Sequence, residues 1–357
     1  MENIIILGAG MAGYGAANKL SEAGVQTQVF EKNNHYGGHC ASFIFDGEWV
    51  FDDGPHISFT KYDHVKELFA SNINHDYYEF EAKVDNYWQG KWIKHPAQVN
   101  LYGLDPTLNT QILQEMIELK NQPEPKINNY KDWLYASYGK TFAENFPMKY
   151  TRKFHTTEAE NMDIDWIGPR LYQPDLSEVI YGMLSPETKD VHYVKSFRYP
   201  NHGGFVRYMS GIERITNLQL NHDLVGINLQ KKEMRFGNGK KVTYDYCFSS
   251  VPLPYLILVM DDAPPDIKEA AAKLVWTQCL VVNLGVAREN ISSCHWRYVY
   301  DEDFYVTRFN FPSMFGPNNT PKGCSSIQAE IYFSHKYRPL TKKPEDYIPI
   351  VKEELIR

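Results

Sequence analysis

The chain has 357 residues, of which 43% are hydrophobic and 23% charged, so it is long enough for a sizeable core and more than one domain. A net charge of −7 with no basic tract argues against nucleic acid as a main partner. The five cysteines form no C-x-x-C pair, which indicates reduced thiols. With no signal-peptide pattern and no apolar run near the ~20 residues of a transmembrane helix, we expect a cytoplasmic protein without a transmembrane segment.

The first 32 residues predict a βαβ unit. A strand over residues 4–7 runs into the turn Gly8-Ala9-Gly10-Met11-Ala12-Gly13, and a helix pattern over residues 13–23 follows. A second strand, over residues 25–30, ends on an acid 23 residues after the first glycine. A G-x-G-x-x-G motif in this full context predicts a dinucleotide-binding fold, although a βαβ turn without a nucleotide stays an alternative.

The three glycines of the motif have different predicted roles. Gly8 permits the tight turn, Gly10 lets the backbone approach a pyrophosphate, and Gly13 lets helix and strand pack closely. The start of the helix, at Met11 and Ala12, offers free N–H groups and the positive end of a dipole to the phosphates. We therefore predict a cofactor phosphate at this turn.

A second glycine pair follows the acid. Glu31 suits ribose hydroxyls and would repel a phosphate, and Gly37-Gly38 lies between Lys32 and His39. This pair is not part of the NAD fingerprint, and it favours a second pass of bare backbone along a longer cofactor, although an ordinary loop turn is the alternative. The pattern resembles the FAD-binding start of the flavin amine oxidase and mutase superfamily, which implies FAD.

The remaining patterns predict the domain organisation. We expect helices over residues 64–70, 108–120 and 264–274, and strands over residues 224–229, 241–244, 246–250 and much of 279–333. The predicted class is α/β, with a discontinuous Rossmann-type FAD-binding domain (residues 1–60 and 196–270), a mainly helical insertion (61–195) and an antiparallel β-layer facing the substrate (271–343). Residues 344–357 should begin a C-terminal helix of a truncated chain.

Further motifs resemble UDP-galactopyranose mutase, nearest to its eukaryote-like branch. The segment Phe51-Asp52-Asp53-Gly54-Pro55-His56 resembles a family loop that touches the flavin isoalloxazine edge, with Pro55 in place of a glycine. The resemblance implies substrate-pocket roles for Pro96-x-Gln98-x-Asn100 and for Trp166-x-Gly-x-Arg170, whose arginine would bind the substrate diphosphate. In a third segment, Thr151 and His155 stand where the family usually has Asn and Trp.

An aromatic stretch near the C-terminus fits the same resemblance. Trp296 and Tyr298 match a pair that packs on the uridine, and Arg308 matches the second arginine of the diphosphate site. Leu224 is assigned to the cofactor site. Alternatives stay open, because the two aromatics suit a core strand, Arg308 could pair with Glu330 or Asp303, and the first arginine could satisfy helix carbonyls.

The resemblance implies an FAD-dependent mutase that interconverts the pyranose and furanose forms of a UDP-hexose, through attack of reduced-flavin N5 on the sugar. His56, Arg170 and Arg308 would act at the reaction centre, and we expect Arg170 and Arg308 to lie beside aromatics where a free guanidinium is costly. An amine-oxidase or desaturase type of oxidoreductase and a non-catalytic nucleotide-sugar binder are the alternatives. An oligomer is possible, and no metal is expected.

Overall fold

The computed structural model describes residues 2–357, except for the side chain of Pro169. The strands are β1 (Ile4–Leu7), β2 (Gln28–Phe30), β3 (Ser42–Phe45), β4 (Trp49–Asp52), β5 (Tyr77–Glu81), β6 (Val84–Trp88), β7 (Lys91–Lys94), β8 (Ser196–Pro200), β9 (Asn217–Gln219), β10 (Leu224–Asn228), β11 (Glu233–Phe236), β12 (Lys241–Thr243), β13 (Tyr246–Ser249), β14 (Thr277–Val286), β15 (Trp296–Val299), β16 (Arg308–Asn310) and β17 (Ser325–Ser334). The helices are α1 (Met11–Glu22), α2 (Asp63–Asn72), α3 (Pro106–Lys120), α4 (Tyr130–Tyr138), α5 (Lys140–Asn145), α6 (Pro147–Phe154), α7 (Leu176–Leu184), α8 (Ile212–Ile215), α9 (Leu253–Leu258), α10 (Pro265–Lys273) and α11 (Tyr347–Ile356).

The chain folds into two compact units, and each is built from two segments. Unit 1 consists of the residues up to Tyr78 and of Arg198–Val275, and unit 2 consists of Glu79–Phe197 and Trp276–Arg357. A chain that leaves the first unit and returns to it makes both units discontinuous. The assignment of functions to the predicted domains stays a prediction.

Unit 1 contains a parallel sheet with the strand order β13-β1-β2-β9. Strand β1 is apolar throughout because both of its faces are covered. Ile5 and Leu7 pack in one core cluster with Phe30, whereas Ile6 packs on the other side with Tyr14 of α1. This alternation holds α1 against the sheet and thereby fixes the glycine turn that joins β1 to α1.

Unit 2 is built on a sheet with the order β14-β17-β16-β15-β6-β7. Its neighbouring strands are antiparallel except for β6 and β15, which run parallel. The predicted helical insertion therefore also carries strands, because the aromatic-rich segments Val84–Trp88 and Lys91–Lys94 pair at one end of this sheet. Strand β17 is buried along its whole length, and α11 packs Tyr347 and Val351 into the same core cluster.

Among residues 2–357, no helix is both long enough and apolar enough to cross a membrane. The same residues contain no group of three or more His, Cys, Asp or Glu side chains arranged to hold a metal ion.

Candidate functional site

The glycine turn after β1 has two positions that the fold itself restricts to glycine. Gly8 has φ +94°, and a Cβ there would lie 2.3 Å from the hydroxyl oxygen of Ser250. A Cβ on Gly13 would lie 1.9 Å from the carbonyl oxygen of Gly8. The tight turn and the close packing of α1 on β1 therefore require these two glycines.

Gly10 is different, because the surrounding protein leaves room for a side chain. Its backbone is extended, with φ −80° and ψ −173°, and a Cβ there would come no closer than 3.7 Å to another residue. Gly10 also begins α1, and no side chain of the described residues caps that helix end. Bare backbone beside an uncapped helix N-terminus is suited to a phosphate group, which explains a glycine that internal packing does not require.

The second glycine pair lies directly beside the first turn. The N–H of Gly37 donates to the carbonyl of Ala9 at 2.9 Å, and Gly10 and Gly37 form a parallel bridge. Gly37 and Gly38 have φ values of +114° and +54°, and a Cβ on Gly38 would lie 3.1 Å from the Cα of Gly10. The two glycine segments predicted to meet one cofactor are thus brought together.

Glu31 is buried at the end of β2 and is already hydrogen-bonded. Its Oε2 accepts from the N–H of Ala9 at 2.8 Å, and its Oε1 accepts from the N–H of Asn33 at 2.9 Å. Each carboxylate oxygen can accept two hydrogen bonds, so capacity for ribose hydroxyls is left. Lys32 and His39 are exposed, with His39 Nδ1 3.6 Å from the carboxylate of Asp53.

The segment predicted to meet the flavin edge forms a tight turn after β4. Gly54 has φ +83°, and the Nδ1 of His56 lies 2.7 Å from the carbonyl oxygen of Gly54. Pro55 is half-buried, and the imidazole of His56 lies 5.4 Å from the ring of Phe205. Leu224, at the start of β10, packs its side chain into the core of unit 1.

Arg308 in unit 2 is paired with a carboxylate of its own chain. Its Nε and Nη2 each donate to Glu330 at 2.7 Å, and Tyr332 donates its hydroxyl to the same carboxylate at 3.0 Å. Burial alone lowers the pKa of Arg308, but Glu330 outweighs this effect and raises the pKa well above its ordinary value. Asp303, the other partner considered, pairs instead with Arg357. The fork with Glu330 leaves Nη1 of Arg308 for a further acceptor.

Aromatic side chains surround the guanidinium of Arg308. The ring of Tyr298 lies 5.9 Å from its Cζ, 5.4 Å from the ring of Tyr150 and 5.0 Å from the imidazole of His95. Trp296 shares this face of β15 but is only 6% exposed, and its indole N–H has no partner within residues 2–357. Of the two aromatic residues predicted to pack on uridine, Tyr298 therefore lies beside Arg308, whereas Trp296 lies in the core.

Arg170 does not lie where the sequence suggested. We expected a guanidinium that needs an anion because it is buried, but Arg170 is exposed, and its Nη1 donates to the carbonyl of Trp166 at 3.0 Å. This hydrogen bond to a backbone carbonyl is the alternative role that the sequence left open for Arg170. The indole of Trp166 in turn donates to the carbonyl of Asp163 at 2.7 Å.

Both arginines affect the pKa of Tyr193, a residue that sequence reasoning did not single out. Burial and the neighbouring Tyr298 raise the pKa of Tyr193, while Arg308 and Arg170 both lower it. Its hydroxyl is therefore within electrostatic range of both guanidinium groups. Tyr193 lies in a loop without a recognisable motif, so nothing in the local pattern marked it.

Gln98 and Asn100, the other predicted substrate residues, have hydrogen-bond partners within the protein. Gln98 donates to the carbonyl of Tyr172 at 3.1 Å. Asn100 is buried, donates to the carbonyl of Pro96 at 2.7 Å and accepts from the hydroxyl of Thr188. The structure thus gives Asn100 two internal partners and leaves Gln98 half-buried.

The geometry of unit 1 defines the class of protein: it has a Rossmann-like dinucleotide-binding domain. The family described as "NAD(P)-binding Rossmann-like domain" matches residues 6–71, which include both glycine segments and Glu31. Over almost the whole chain, the fold is that of a reduced UDP-galactopyranose mutase, with a TM-score of 0.90 and 23% identity over 96% of this chain and 76% of the other. The predicted fold class and the resemblance to this fold are confirmed.

Other solved structures are similar in fold to a smaller degree. A putative protoporphyrinogen oxidase from Exiguobacterium sp. 255-15 has a TM-score of 0.69 and 13% identity, over 93% of this chain and 77% of that one. Putrescine oxidase bound to putrescine has a TM-score of 0.60 and 14% identity, over 92% and 75%. These neighbours share the architecture, and at such identities the likeness concerns the fold alone.

Curated relatives match shorter segments. The 1-hydroxycarotenoid 3,4-desaturase of Flavobacterium sp. (strain P99-3) is 31% identical over 108 residues, which cover 29% of this chain and 22% of the desaturase. The 4,4'-diapophytoene desaturase of Staphylococcus haemolyticus is 44% identical over 82 residues, or 23% of this chain and 15% of that protein. The chain thus spans less than a quarter of the length of these two relatives.

Proposed function

We propose that the chain binds FAD in unit 1 and a UDP-hexose in unit 2, and that it interconverts the pyranose and furanose forms of the sugar. The observation that carries this proposal is the fold likeness to UDP-galactopyranose mutase, with a TM-score of 0.90 over 96% of the chain. Arg308, Arg170 and the tyrosines of unit 2 support it further, because these residue types suit a nucleotide diphosphate.

The residues of unit 1 fit the dinucleotide part of FAD. Gly10 leaves bare backbone with room beside it, and the uncapped start of α1 at Met11 and Ala12 offers N–H groups to the pyrophosphate. The buried carboxylate of Glu31 would accept from ribose hydroxyls. Bound flavin would supply the redox and nucleophilic chemistry of the reaction, and the chain would hold and orient it.

The residues of unit 2 would bind the nucleotide sugar by charge and by stacking. Arg308, held by Glu330, keeps one N–H edge for a phosphate oxygen, and the exposed Arg170 would give the second positive charge. Both arginines lower the pKa of Tyr193, and we place its hydroxyl as a further donor to the same diphosphate. Tyr298 offers an aromatic face for the uracil ring.

Cofactor identity is the first test of this proposal. The purified protein is denatured by heat, and the released cofactor is separated by chromatography. We expect FAD, because Glu31 and the first glycine turn suit an adenosine ribose and a pyrophosphate. Release of FMN or of a nicotinamide nucleotide from folded, fully loaded protein would overturn the assignment of unit 1.

A second candidate function is an FAD-dependent oxidoreductase of the amine-oxidase or desaturase type. It is favoured by the desaturase relatives, which are 31% and 44% identical over segments of this chain. The two functions differ in redox stoichiometry. A mutase needs flavin reduced by dithionite and consumes no reductant per turnover, whereas an oxidase works without dithionite and forms hydrogen peroxide. Peroxide formation that is proportional to turnover would favour the oxidoreductase.

A further inference from the structure

The carboxylate of Asp52 joins separate segments of unit 1, and no role described above uses it. Asp52 is 5% exposed, and its Oδ1 accepts from the hydroxyl of Ser42 at 2.6 Å and from the N–H of Phe205 at 2.9 Å. Its Oδ2 accepts from the hydroxyl of Tyr199 at 2.7 Å. Strands β3 and β8 and the turn before Phe205 therefore meet at one buried negative group.

The diglycine turn that precedes Phe205 is shaped by this carboxylate. Gly204 has φ +79°, and a Cβ there would lie 2.3 Å from the hydroxyl oxygen of Ser42 and 2.8 Å from Oδ1 of Asp52. The hydroxyl oxygen of Ser42 also accepts from the N–H of Val206 at 3.2 Å. The Gly203-Gly204 turn thus lies directly against the carboxylate of Asp52.

Asp52 is connected to the predicted flavin-facing turn in two ways. It begins the turn that holds Gly54 and His56, and it fixes the backbone of Phe205, whose ring lies 5.4 Å from the imidazole of His56. Burial raises the pKa of Asp52 above its ordinary value, and the hydrogen bonds from Ser42, Phe205 and Tyr199 offset this rise only in part. All three neighbours donate to its oxygens, which is the arrangement that an ionised carboxylate satisfies.

We propose that Asp52 is a positioning residue of the cofactor site: its carboxylate fixes the turn that carries His56, and its negative charge opposes reduction of the flavin that this turn meets. This inference rests on the proposed function, because it requires FAD in unit 1. Reduction adds negative charge to the flavin, and a buried charge nearby is weakly screened by solvent. Asp52 therefore makes bound flavin harder to reduce.

The test compares the midpoint potential of bound flavin in the parent protein and in Asp52→Asn and Tyr199→Phe. Asparagine keeps the shape and one acceptor oxygen, and Tyr199 can turn its hydroxyl to accept from the new amide, so mainly the charge is lost. Tyr199→Phe is the matched control, since it removes one hydrogen bond and keeps the charge. We expect a shift to a more positive potential in Asp52→Asn and the parent potential in Tyr199→Phe, with FAD content retained in both.

Melting temperatures of the cofactor-free proteins separate this role from simple stabilisation. If Asp52→Asn lowers the melting temperature but its bound flavin keeps the parent potential, Asp52 is only structural and the proposal is wrong. Should Asp52→Asn fail to fold, the smaller neutral variant Asp52→Ser takes its place with the same expected shift. A parent protein that binds no FAD would defeat the proposed function itself, whereas an unmoved potential in a loaded variant would defeat only the inference about Asp52.

Discussion

At the scale of a residue, the partly buried Arg308 shows how a charge is stabilised beside aromatic side chains. An unpaired guanidinium inside an aromatic wall costs several kcal/mol, roughly, and Arg308 avoids this cost through its two bonds to Glu330. That pairing does not by itself exclude a ligand, because the fork uses only Nε and Nη2. The pair orients the guanidinium, so the direction of the remaining N–H groups is fixed before a phosphate binds.

The two arginines should respond differently to substitution. We expect Arg308→Ala to weaken UDP binding at least ~30-fold and to destabilise the protein by about 3–5 kcal/mol, since it leaves Glu330 buried without its partner. Arg308→Lys should restore stability only in part, because a point charge replaces a fork. Arg170→Ala should weaken UDP binding without changing the melting temperature, because Arg170 is exposed.

Titration of UDP by calorimetry, with thermal melting of each variant, checks these expectations. Arg288, an exposed arginine of the same unit, gives the control variant Arg288→Ala, which should bind UDP as the parent does. If Arg308→Lys is folded and its affinity for UDP equals that of the parent, Arg308 is a structural ion-pair residue and the substrate role is lost.

Substitution of three glycines at the start of α1 should distinguish the glycine that the fold requires from the glycine that the cofactor requires. Gly13→Ala should destabilise the protein strongly, because its Cβ would overlap the carbonyl of Gly8 at 1.9 Å. Gly10→Ala should cost the cofactor-free protein less than about 1 kcal/mol, yet weaken FAD binding at least ~10-fold, which corresponds to about 1.4 kcal/mol. Gly15→Ala, which meets nothing within 4 Å, should stabilise α1 by about 0.5–1 kcal/mol.

Thermal melting and quenching of flavin fluorescence measure the two effects separately. The informative outcome is the one for Gly10. A Gly10→Ala variant that binds FAD with the parent affinity would show that no group lies against this backbone, and the phosphate assignment would fail.

At the scale of elements, a histidine joins β15 to the start of β6. The N–H of Lys83 donates to Nδ1 of the buried His295 at 3.0 Å, so this nitrogen must be unprotonated. Burial and Lys83 lower the pKa of His295 to about 4. Because an unfolded histidine has a pKa of about 6.5, the contact stabilises the protein above that pH, and the stability is lost as the pH falls from ~6.5 to 4.

We expect His295→Gln to flatten the dependence of the melting temperature on pH over this range, because glutamine does not titrate and its carbonyl can still accept from Lys83. The effect of the parent histidine is at most about 3 kcal/mol. Part of the slope should remain, since burial also lowers the pKa of His155 to about 4. His64→Gln, at an exposed position, is the control. Parallel profiles for parent and His295→Gln would show that this contact does not govern acid stability.

Elements with local signals were predicted well, and elements defined by distant partners were not. The βαβ unit follows from glycine spacing and apolar runs, and only its boundaries moved, with α1 starting at Met11 and β2 at Gln28. Strand β6 was missed although it pairs locally with Lys91–Lys94, and its place in the larger sheet comes from pairing with Trp296–Val299, more than 200 residues further along the chain. Non-local pairing of this kind leaves no periodic pattern in a single short segment.

At the scale of the whole molecule, the candidate residues of unit 1 have local sequence signals, whereas several of those in unit 2 depend on distant parts of the chain. In unit 1, the glycine motif is local in sequence, and the backbone restricts Gly8 and Gly13 to glycine as the motif predicts. In unit 2, Tyr193 and the exposure of Arg170 follow from loops whose course the sequence does not define. Family resemblance indicated the arginines by motif. The sequence left Glu330 and Asp303 as possible partners of Arg308, and the register of β16 and β17 places Glu330 beside it.

The measurement that tests the central claim most directly is ring interconversion of the sugar. The purified, FAD-loaded protein is reduced with dithionite and incubated with UDP-galactofuranose, and the products are separated by chromatography and identified by NMR. We expect UDP-galactopyranose as the product, no net oxidation of the sugar, and no turnover when the flavin is oxidised. Folded protein that holds reduced FAD and binds UDP, yet leaves UDP-galactofuranose unchanged, would contradict the account.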